Sequence, residues 1–407
     1  MTSAILITLC GLLLIAYVFD LTSSKTRIPP VILLLTLGWV VRQLSEVLNI
    51  HIPDLTSLLP LLGTIGLILI VLEGSLELEL NSSKTGIIRK SAIVALLPML
   101  VLAFGLAWLF HYFGNVSFRD ALANAVPLSV ISSSIAIPSV KYLSQYDREF
   151  IIYESSLSDI FGVIFFNFVA LTASNEVHSP GESILQVLIM ILVSFTATVI
   201  LAFLLSRIDH HIKFAPIILL VLLIYAISKV YHLPALIFIL IFGMFLGNLD
   251  ELKRFRWIRK LKPDQLNKEV HTFRELITEA TFIIRSIFFL LFGYLIETSE
   301  ITDTKSLAWS VTIVAAIFII RLIQFKLSGV KLSPKVFVAP RGLITILLFL
   351  SIVPAQNIDF INRSLLVQVI LLTALVMMFG LMLSKKEDPA PEIEEKKIML
   401  EDRSQST

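Results

Sequence analysis

The sequence predicts an all-α protein that crosses a membrane many times, and three observations support this prediction. Hydrophobic residues make up 56% of the 407 residues and charged residues only 16%, whereas about a quarter of the residues in a soluble domain are charged. The mean hydropathy is +0.88. Apolar runs long enough to cross ~30 Å of hydrocarbon recur along the whole chain. A single cysteine, Cys10, excludes a disulfide framework and a thiol pair for metal or redox chemistry.

Thirteen apolar runs are predicted to span the membrane, separated by short loops that Gly, Pro, Asn or Asp mark. The predicted spans are 3–20, 28–48, 57–74, 87–112, 119–141, 149–173, 183–206, 212–228, 231–248, 274–297, 305–325, 335–355 and 361–384. The first run has neither a basic leader nor a cleavage site, so it is interpreted as a retained span. The charged segment 385–407 is predicted to be a short, disordered cytoplasmic tail.

The distribution of Lys and Arg predicts the orientation of the spans. With the amino terminus outside, the inside loops and the tail hold 26 of the 33 Lys and Arg residues, and the outside loops hold five. This assignment places Arg321 in an inside loop. Arg285 and Arg341 belong to no loop and are therefore predicted to lie within the membrane.

The sixth predicted span carries two acids and three serines in the segment Glu154-Ser155-Ser156-Leu157-Ser158-Asp159. A charge in hydrocarbon costs at least ~2.5–3.5 kcal/mol, so charges at this depth are candidates for function. Asp159 lies about eleven residues beyond the inner end of the span. At 1.5 Å per residue this is ~16 Å, near the centre of the bilayer. Ser155 lies one turn earlier on the same helix face.

Arg285, in the tenth span, is predicted to lie at a similar depth with the opposite charge. We expect it to pair with Glu154 or Asp159, because an unpaired buried charge is strongly unfavourable. Glu154 is the better candidate for a pair that only locks two helices together. Glu73, at the end of the third span, either faces the protein interior or is solvated at the cytoplasmic boundary.

Solvation at that boundary is the favoured interpretation for two further acids, Glu77 and Glu79.

Two spans contain signals for a broken helix. The fifth has prolines on both sides of Ser132, Ser133 and Ser134, and the twelfth contains Pro340-Arg341-Gly342. Such breaks free backbone groups, which the membrane tolerates only where they line a cavity. If 183–206 is a linker helix, then 1–173 and 212–384 are two inverted six-helix repeats, each broken in its fifth helix. This arrangement points to a transport site, and two ordinary proline kinks are the alternative.

Four motifs together resemble the monovalent cation:proton antiporter superfamily, in particular its sodium/proton exchanger branch. Glu154-Ser155-x-x-Ser158-Asp159 is similar to the Glu-Ser-x-x-Asn-Asp signature of that branch. The segments 72–78 and 284–293 resemble the end of its third span and its arginine-bearing span, and Pro340-Arg341-Gly342 resembles the Arg-Gly motif of its second broken helix. The resemblance covers about residues 1–385.

Two departures leave the choice between sodium and potassium open. The second acid of the exchanger branch is missing from the first break, where Ile131-Ser132-Ser133 stands instead. The segment 132–137 is closer to the potassium-efflux branch.

The resemblance implies crossed broken helices in a mobile core domain, together with a dimerisation domain, and hence a homodimer. It places the protein in the cell membrane, as in the inner membrane of a bacterium or archaeon. We expect a secondary transporter that needs no cofactor and has no enzymatic activity.

The predicted site residues are those that lie near the bilayer centre or at the breaks. Asp159 is predicted to be the carrier that a proton and Na⁺ (or K⁺) share. The predicted oxygen ligands beside it are Ser155, Ser132, Ser133 and Glu73. Glu154 and Arg285 are predicted to form a supporting ion pair, and Arg341 to balance the ends of the broken helices.

One carboxylate that binds either a proton or a monovalent cation predicts electroneutral, one-for-one exchange. Arg285 cannot release a proton in exchange, because arginine does not deprotonate in proteins. A cation channel or gated K⁺ efflux system and a sodium-coupled symporter of an organic anion are the alternatives. A filter-like loop that would favour the channel is not evident in the sequence. A membrane hydrolase is disfavoured because six of the seven histidines lie in loops or at span ends.

Overall fold

The structure is a computed structural model that describes residues 2–26, 28–48, 55–78, 84–140, 143–171, 192–204, 214–230, 235–252 and 263–384. These residues form helices and connections, with no strand among them. The helices are α1 (Thr2–Thr26), α2 (Pro30–Val47), α3 (Leu58–Glu77), α4 (Thr85–Gly114), α5 (Phe118–Ser129), α6 (Ser133–Ser139), α7 (Gln145–Leu171), α8 (Leu192–Leu204), α9 (Phe214–Val230), α10 (Ala235–Gly247), α11 (Leu249–Leu252), α12 (Pro263–Leu295), α13 (Thr298–Thr302), α14 (Thr304–Leu327), α15 (Leu343–Leu350) and α16 (Arg363–Leu383). Short 3-10 helices lie at Lys335–Phe337 and Pro354–Gln356.

The prediction of a helical protein that spans the membrane many times is confirmed. Among the described residues, seven helical segments are long and apolar enough to cross a membrane; one shorter apolar helix precedes them and three others lie between the fourth and the fifth. The number of thirteen spans and the limits of the two repeats stay predictions. Part of the predicted linker helix (183–191), Glu79 and the tail 385–407 lie outside the described residues.

The helices pack in two groups. The site group consists of α4–α7 and α14–α16, in which α4 packs against α5, α7 and α14, and α14 packs against α16. The flanking group consists of α1–α3, α9, α10 and α12, in which α12 packs against α2 and α3, and α3 packs against α10. The two groups meet where α3 contacts α7 and α15, where α1 and α2 contact α6, and where α10 contacts α7.

Glycines allow the closest approaches within the flanking group. A Cβ atom on Gly38 of α2 would lie 2.2 Å from the carbonyl oxygen of Leu290, and one on Gly293 of α12 would lie 2.3 Å from that of Leu35. Small residues at such crossings let membrane helices pack backbone to backbone, where apolar burial gives no driving force.

Both predicted broken spans are broken in the structure. In the fifth predicted span, α5 ends at Ser129 and α6 begins at Ser133. In the twelfth predicted span, a 3-10 turn is followed by non-helical chain as far as Gly342, and α15 begins at the next residue. The backbone N–H of Ser132 donates to the carbonyl oxygen of Pro340 at 2.9 Å, so the two breaks cross at this hydrogen bond.

Candidate functional site

Arg341 lies at the crossing of the two breaks and is only 2% exposed. Its Nε donates to the carbonyl oxygen of Leu128 at 2.7 Å, and its Nη2 donates to that of Ser129 at 3.3 Å. These carbonyls end α5 and have no partner within the helix, and they carry the negative end of its dipole. The guanidinium therefore compensates the end of the first broken helix.

Asp159 lies on α7 with 3% of its surface exposed. Its Oδ2 accepts hydrogen bonds from the backbone N–H of Ser133, at 3.2 Å, and from the hydroxyl of the same residue. Its Oδ1 is buried and accepts no hydrogen bond from any residue that the structure describes. The carboxylate is thus fixed at the first break by one oxygen, and the other is available to a proton or a cation.

Two further contacts hold α7 against the first break. The hydroxyl oxygen of Ser158 accepts a hydrogen bond from the backbone N–H of Ile131 at 2.9 Å. A Cβ atom on Gly162 would lie 2.2 Å from Val130, so a larger residue at position 162 would push the helix away. The position of Asp159 relative to the break is therefore set from both sides of the residue.

The structure brings one of the three predicted serine ligands to Asp159. Ser133 is hydrogen-bonded to it, whereas Ser132 pairs with the hydroxyl of Ser134 at 2.8 Å. Ser155 donates to the carbonyl oxygen of Ile151 on its own helix at 2.8 Å. Ligand roles for Ser132 and Ser155 stay predictions.

The prediction that Glu154 pairs with Arg285 is wrong, because the partner of Glu154 is Arg321. Both oxygens of Glu154 accept hydrogen bonds from Arg321 of α14, with 2.9 Å between Nη2 and Oε2. Arg321 also donates to the carbonyl oxygens of Val336 and Lys335 at 3.0 and 2.9 Å. The segment after α14 folds back over this arginine and buries it, although the sequence analysis had assigned Arg321 to a loop. Its position inside the predicted span 305–325 was the sequence feature that could have indicated burial.

Sequence analysis also missed a second buried ion pair. Lys335, the first residue of the predicted span 335–355, binds Asp147 in the first turn of α7, and both are almost fully buried. The ammonium group lies 5.7 Å from the ring centre of Tyr146 and 5.8 Å from that of Phe150. Two ion pairs thus connect α7 to the other half of the site group.

Glu73 is half-buried and faces α12 rather than Asp159. Its carboxyl group lies near Thr278, Thr281 and Arg285 of α12. The next residue, Gly74, faces α7 instead, where its added Cβ would lie 3.4 Å from the hydroxyl oxygen of Ser156. Arg285 therefore belongs with Glu73, at the edge of the interface with α7.

No set of three or more His, Cys, Asp or Glu residues that could hold a metal ion occurs in the described part of the chain. A monovalent cation at Asp159 would be cargo, held by one carboxylate and neutral oxygens.

Comparisons with known proteins agree with this arrangement. The family described as "Sodium/hydrogen exchanger, transmembrane" matches residues 10–385. The structure of the sodium proton antiporter MjNhaP1 from Methanocaldococcus jannaschii at pH 8 is similar, with a TM-score of 0.69 and 16% identity, over 93% of this chain and 100% of that one.

An electron-microscopy map of the same antiporter gives a TM-score of 0.68 at 16% identity, over 94% and 95% of the two chains. A search of curated proteins finds no match. At this identity the structures show a shared fold. The family match covers almost the whole chain, and the chain therefore belongs to the sodium/hydrogen exchanger family of multi-pass membrane proteins.

Proposed function

We propose that this protein exchanges a monovalent cation, Na⁺ rather than K⁺, for protons across the cell membrane, with Asp159 as the shared carrier. One observation carries the proposal. Asp159 is buried where the two broken helices cross, with Oδ2 bonded to Ser133 and Oδ1 without a partner among the described residues. A fixed carboxylate with one available oxygen is what a site that alternates between a proton and a cation requires.

Exchange follows from the energetics of a charge at this depth. An empty, ionised Asp159 would carry a net negative charge through hydrocarbon, which costs several kcal/mol, ~2.5–3.5 on the lenient scale. A proton or a monovalent cation neutralises it equally well. Only the loaded site crosses at an appreciable rate, so each passage of a cation must alternate with the return of a proton.

Neutral oxygen atoms beside Asp159 suit a monovalent cation. Backbone carbonyls at the breaks and the hydroxyls of Ser132, Ser133 and Ser155 can replace its water shell without adding charge, as carbonyl rings do in ion channels. Family membership and the description of MjNhaP1 as a sodium proton antiporter support Na⁺ as the cation. The proposal includes a homodimer with its amino termini outside.

The test is proton flux in liposomes that contain the purified protein. With an imposed pH gradient, added NaCl should dissipate the gradient in wild type, and KCl should do so less. Asp159→Asn should abolish this flux, because the amide keeps the shape of the protonated acid but cannot titrate. Asp359→Asn makes the same chemical change at an exposed acid of an outer loop and should leave the flux unchanged.

Three outcomes would contradict the proposal. Near wild-type exchange by Asp159→Asn would show that another acid, such as Glu73, is the carrier. Cation flux without proton movement would indicate a channel. Flux that requires an added organic anion would indicate a symporter.

A further inference from the structure

The face of α7 that carries Asp159 lies between the first break and the boundary with the flanking group. On one side of Asp159 are Ser158 and Gly162, which contact the first break. On the other side is Ser156, which faces Gly74 of α3. Three residues are about 60° short of a full helical turn, so residues three apart are neighbours on a helix surface. Ser156 is therefore a polar neighbour of Asp159 on the boundary side.

Ser156 has a buried hydroxyl without a partner. Its Oγ forms no hydrogen bond with any residue that the structure describes. A serine inside a helix can donate its hydroxyl to the carbonyl oxygen four residues earlier, as Ser155 does to Ile151. Leaving a buried polar group unpaired is unfavourable, and each such group in a folded protein needs an explanation. Ser156 and Asp159 thus present two buried oxygens, Oγ and Oδ1, that no described residue engages.

A small gap lies beside the hydroxyl of Ser156. A Cβ atom added to Gly74 would lie 3.4 Å from the Oγ and 3.8 Å from the Cβ of Ser156, and no atom of another described element would lie within 4 Å of it. These are ordinary contact distances, so the gap has about the size of one methyl group. The neighbouring cavity between α3, α7 and α10 is apolar, with Val71 and Ile160 among its lining residues. Ser156 is therefore the polar group that a cation would meet on its way to Asp159 from this boundary.

We propose that Ser156 is a direct ligand of the transported cation, which it holds together with Oδ1 of Asp159 in the gap beside Gly74. The inference rests on the proposed function and adds a binding residue to it. A cation needs neutral oxygens in place of its water shell, whereas a proton needs only the carboxylate. Ser156 therefore contributes to the affinity for Na⁺ and not to the affinity for protons.

Proton flux in liposomes at increasing NaCl concentration tests the role of the hydroxyl. Ser156→Ala should raise the Na⁺ concentration for half-maximal flux at least about tenfold, because an oxygen bonded to a charged group is worth a factor of ten or more in affinity. The maximal flux at saturating Na⁺ should stay close to that of wild type. Ser156→Ala leaves the titrating carboxylate in place, so protons should still be exchanged.

Gly74→Ala tests the gap. The added methyl group fits at an ordinary contact distance, so the fold should be kept, but it fills the space of the cation and should also raise the half-maximal Na⁺ concentration. Gly66→Ala is the matched control, because its methyl group would lie at the same 3.4 Å from Ile284 of α12. Ser75→Ala removes a buried hydroxyl of α3 that donates to the carbonyl oxygen of Leu72 at 2.9 Å. Both controls should respond to Na⁺ like wild type.

Binding can be measured separately from transport. A cation that binds the folded protein raises its unfolding temperature. In detergent, NaCl should therefore stabilise wild type more than choline chloride does. Ser156→Ala should unfold at the wild-type temperature in choline chloride and gain less stability from the same concentration of NaCl.

An unchanged half-maximal Na⁺ concentration in Ser156→Ala would overturn the inference and leave the proposed function intact. A lower maximal flux, together with a lower unfolding temperature in choline chloride and an unchanged response to Na⁺, would show a structural role and would also overturn it. If Ser156→Ala does not fold, Gly74→Ala decides the matter. Absence of Na⁺-dependent proton flux in wild type would instead refute the proposed function.

Discussion

The three buried acids of α7 have different partners, and these partners assign their roles. Asp147 binds the ammonium of Lys335, and Glu154 is held through both oxygens by Arg321. Asp159 has no cationic partner among the described residues and keeps one free oxygen. The oxygens of Asp147 and Glu154 are engaged by buried cations, so of these three acids only Asp159 is arranged to exchange its ligand.

Arg321→Ala should destabilise the protein by about 3–5 kcal/mol, because it leaves Glu154 buried without its counter-charge. Adding Glu154→Gln should recover part of the loss. Thermal unfolding of the purified variants in detergent checks both. Lys326→Ala, on the exposed face of the same helix, should unfold like wild type. A double variant less stable than Arg321→Ala would show that the ion pair is not the source of the effect.

The sequence predicted which single charged residues are buried within the spans, but it did not predict which residues pair with each other. The positions of Asp159 and Arg341 along their spans follow from counting residues in an apolar run, and both are buried. The partner of Glu154 depends on which helix lies beside α7. The sequence pointed to Arg285 because the distribution of charges assigned Arg321 to an inside loop.

At the scale of elements, the two breaks were predictable because proline and glycine act locally on the backbone. Pro127, Pro138, Pro340 and Gly342 marked both interruptions. The hydrogen bond between Ser132 and Pro340 that joins the breaks was not predictable, since it connects segments some two hundred residues apart. The glycine contacts between α2 and α12 were missed for the same reason.

Gly293→Ala tests how closely α2 and α12 must approach. The added methyl group would lie 2.3 Å from a backbone oxygen of Leu35, and the helices would have to separate. We expect a loss of at least about 1–3 kcal/mol, as for overpacked cores, seen as a lower unfolding temperature. Gly105→Ala is the control, because nothing lies within 4 Å of the added atom in α4. Equal unfolding temperatures for the two variants would contradict tight packing at this crossing.

At the scale of the whole molecule, hydropathy and charge predicted the order of the spans, and the structure supplies their grouping. A one-dimensional pattern contains no information on which apolar faces meet, so the division into a site group and a flanking group could come only from the family resemblance. That resemblance implies that the group with the broken helices moves. The contact of α3 with α7 lies on the boundary between the groups.

A disulfide across this boundary tests whether the groups move against each other. A Cβ atom on Gly74 would lie 3.8 Å from the Cβ of Ser156, which is about the mean separation in natural disulfides. Gly74→Cys with Ser156→Cys, in a Cys10→Ser background, should therefore cross-link under mild oxidation. If α7 must slide along α3 to carry Asp159 between the two sides, Na⁺-dependent proton flux should stop on oxidation and return on reduction.

The single cysteine variants are the controls, and oxidation should leave their flux unchanged. The free cysteines of the reduced double variant establish that the substitutions themselves permit exchange, so any loss on oxidation belongs to the cross-link. Undiminished flux in a sample shown by thiol titration to be fully cross-linked would mean that α3 and α7 stay together during transport. The moving boundary would then lie elsewhere, for example between α3 and α15, another contact between the two groups.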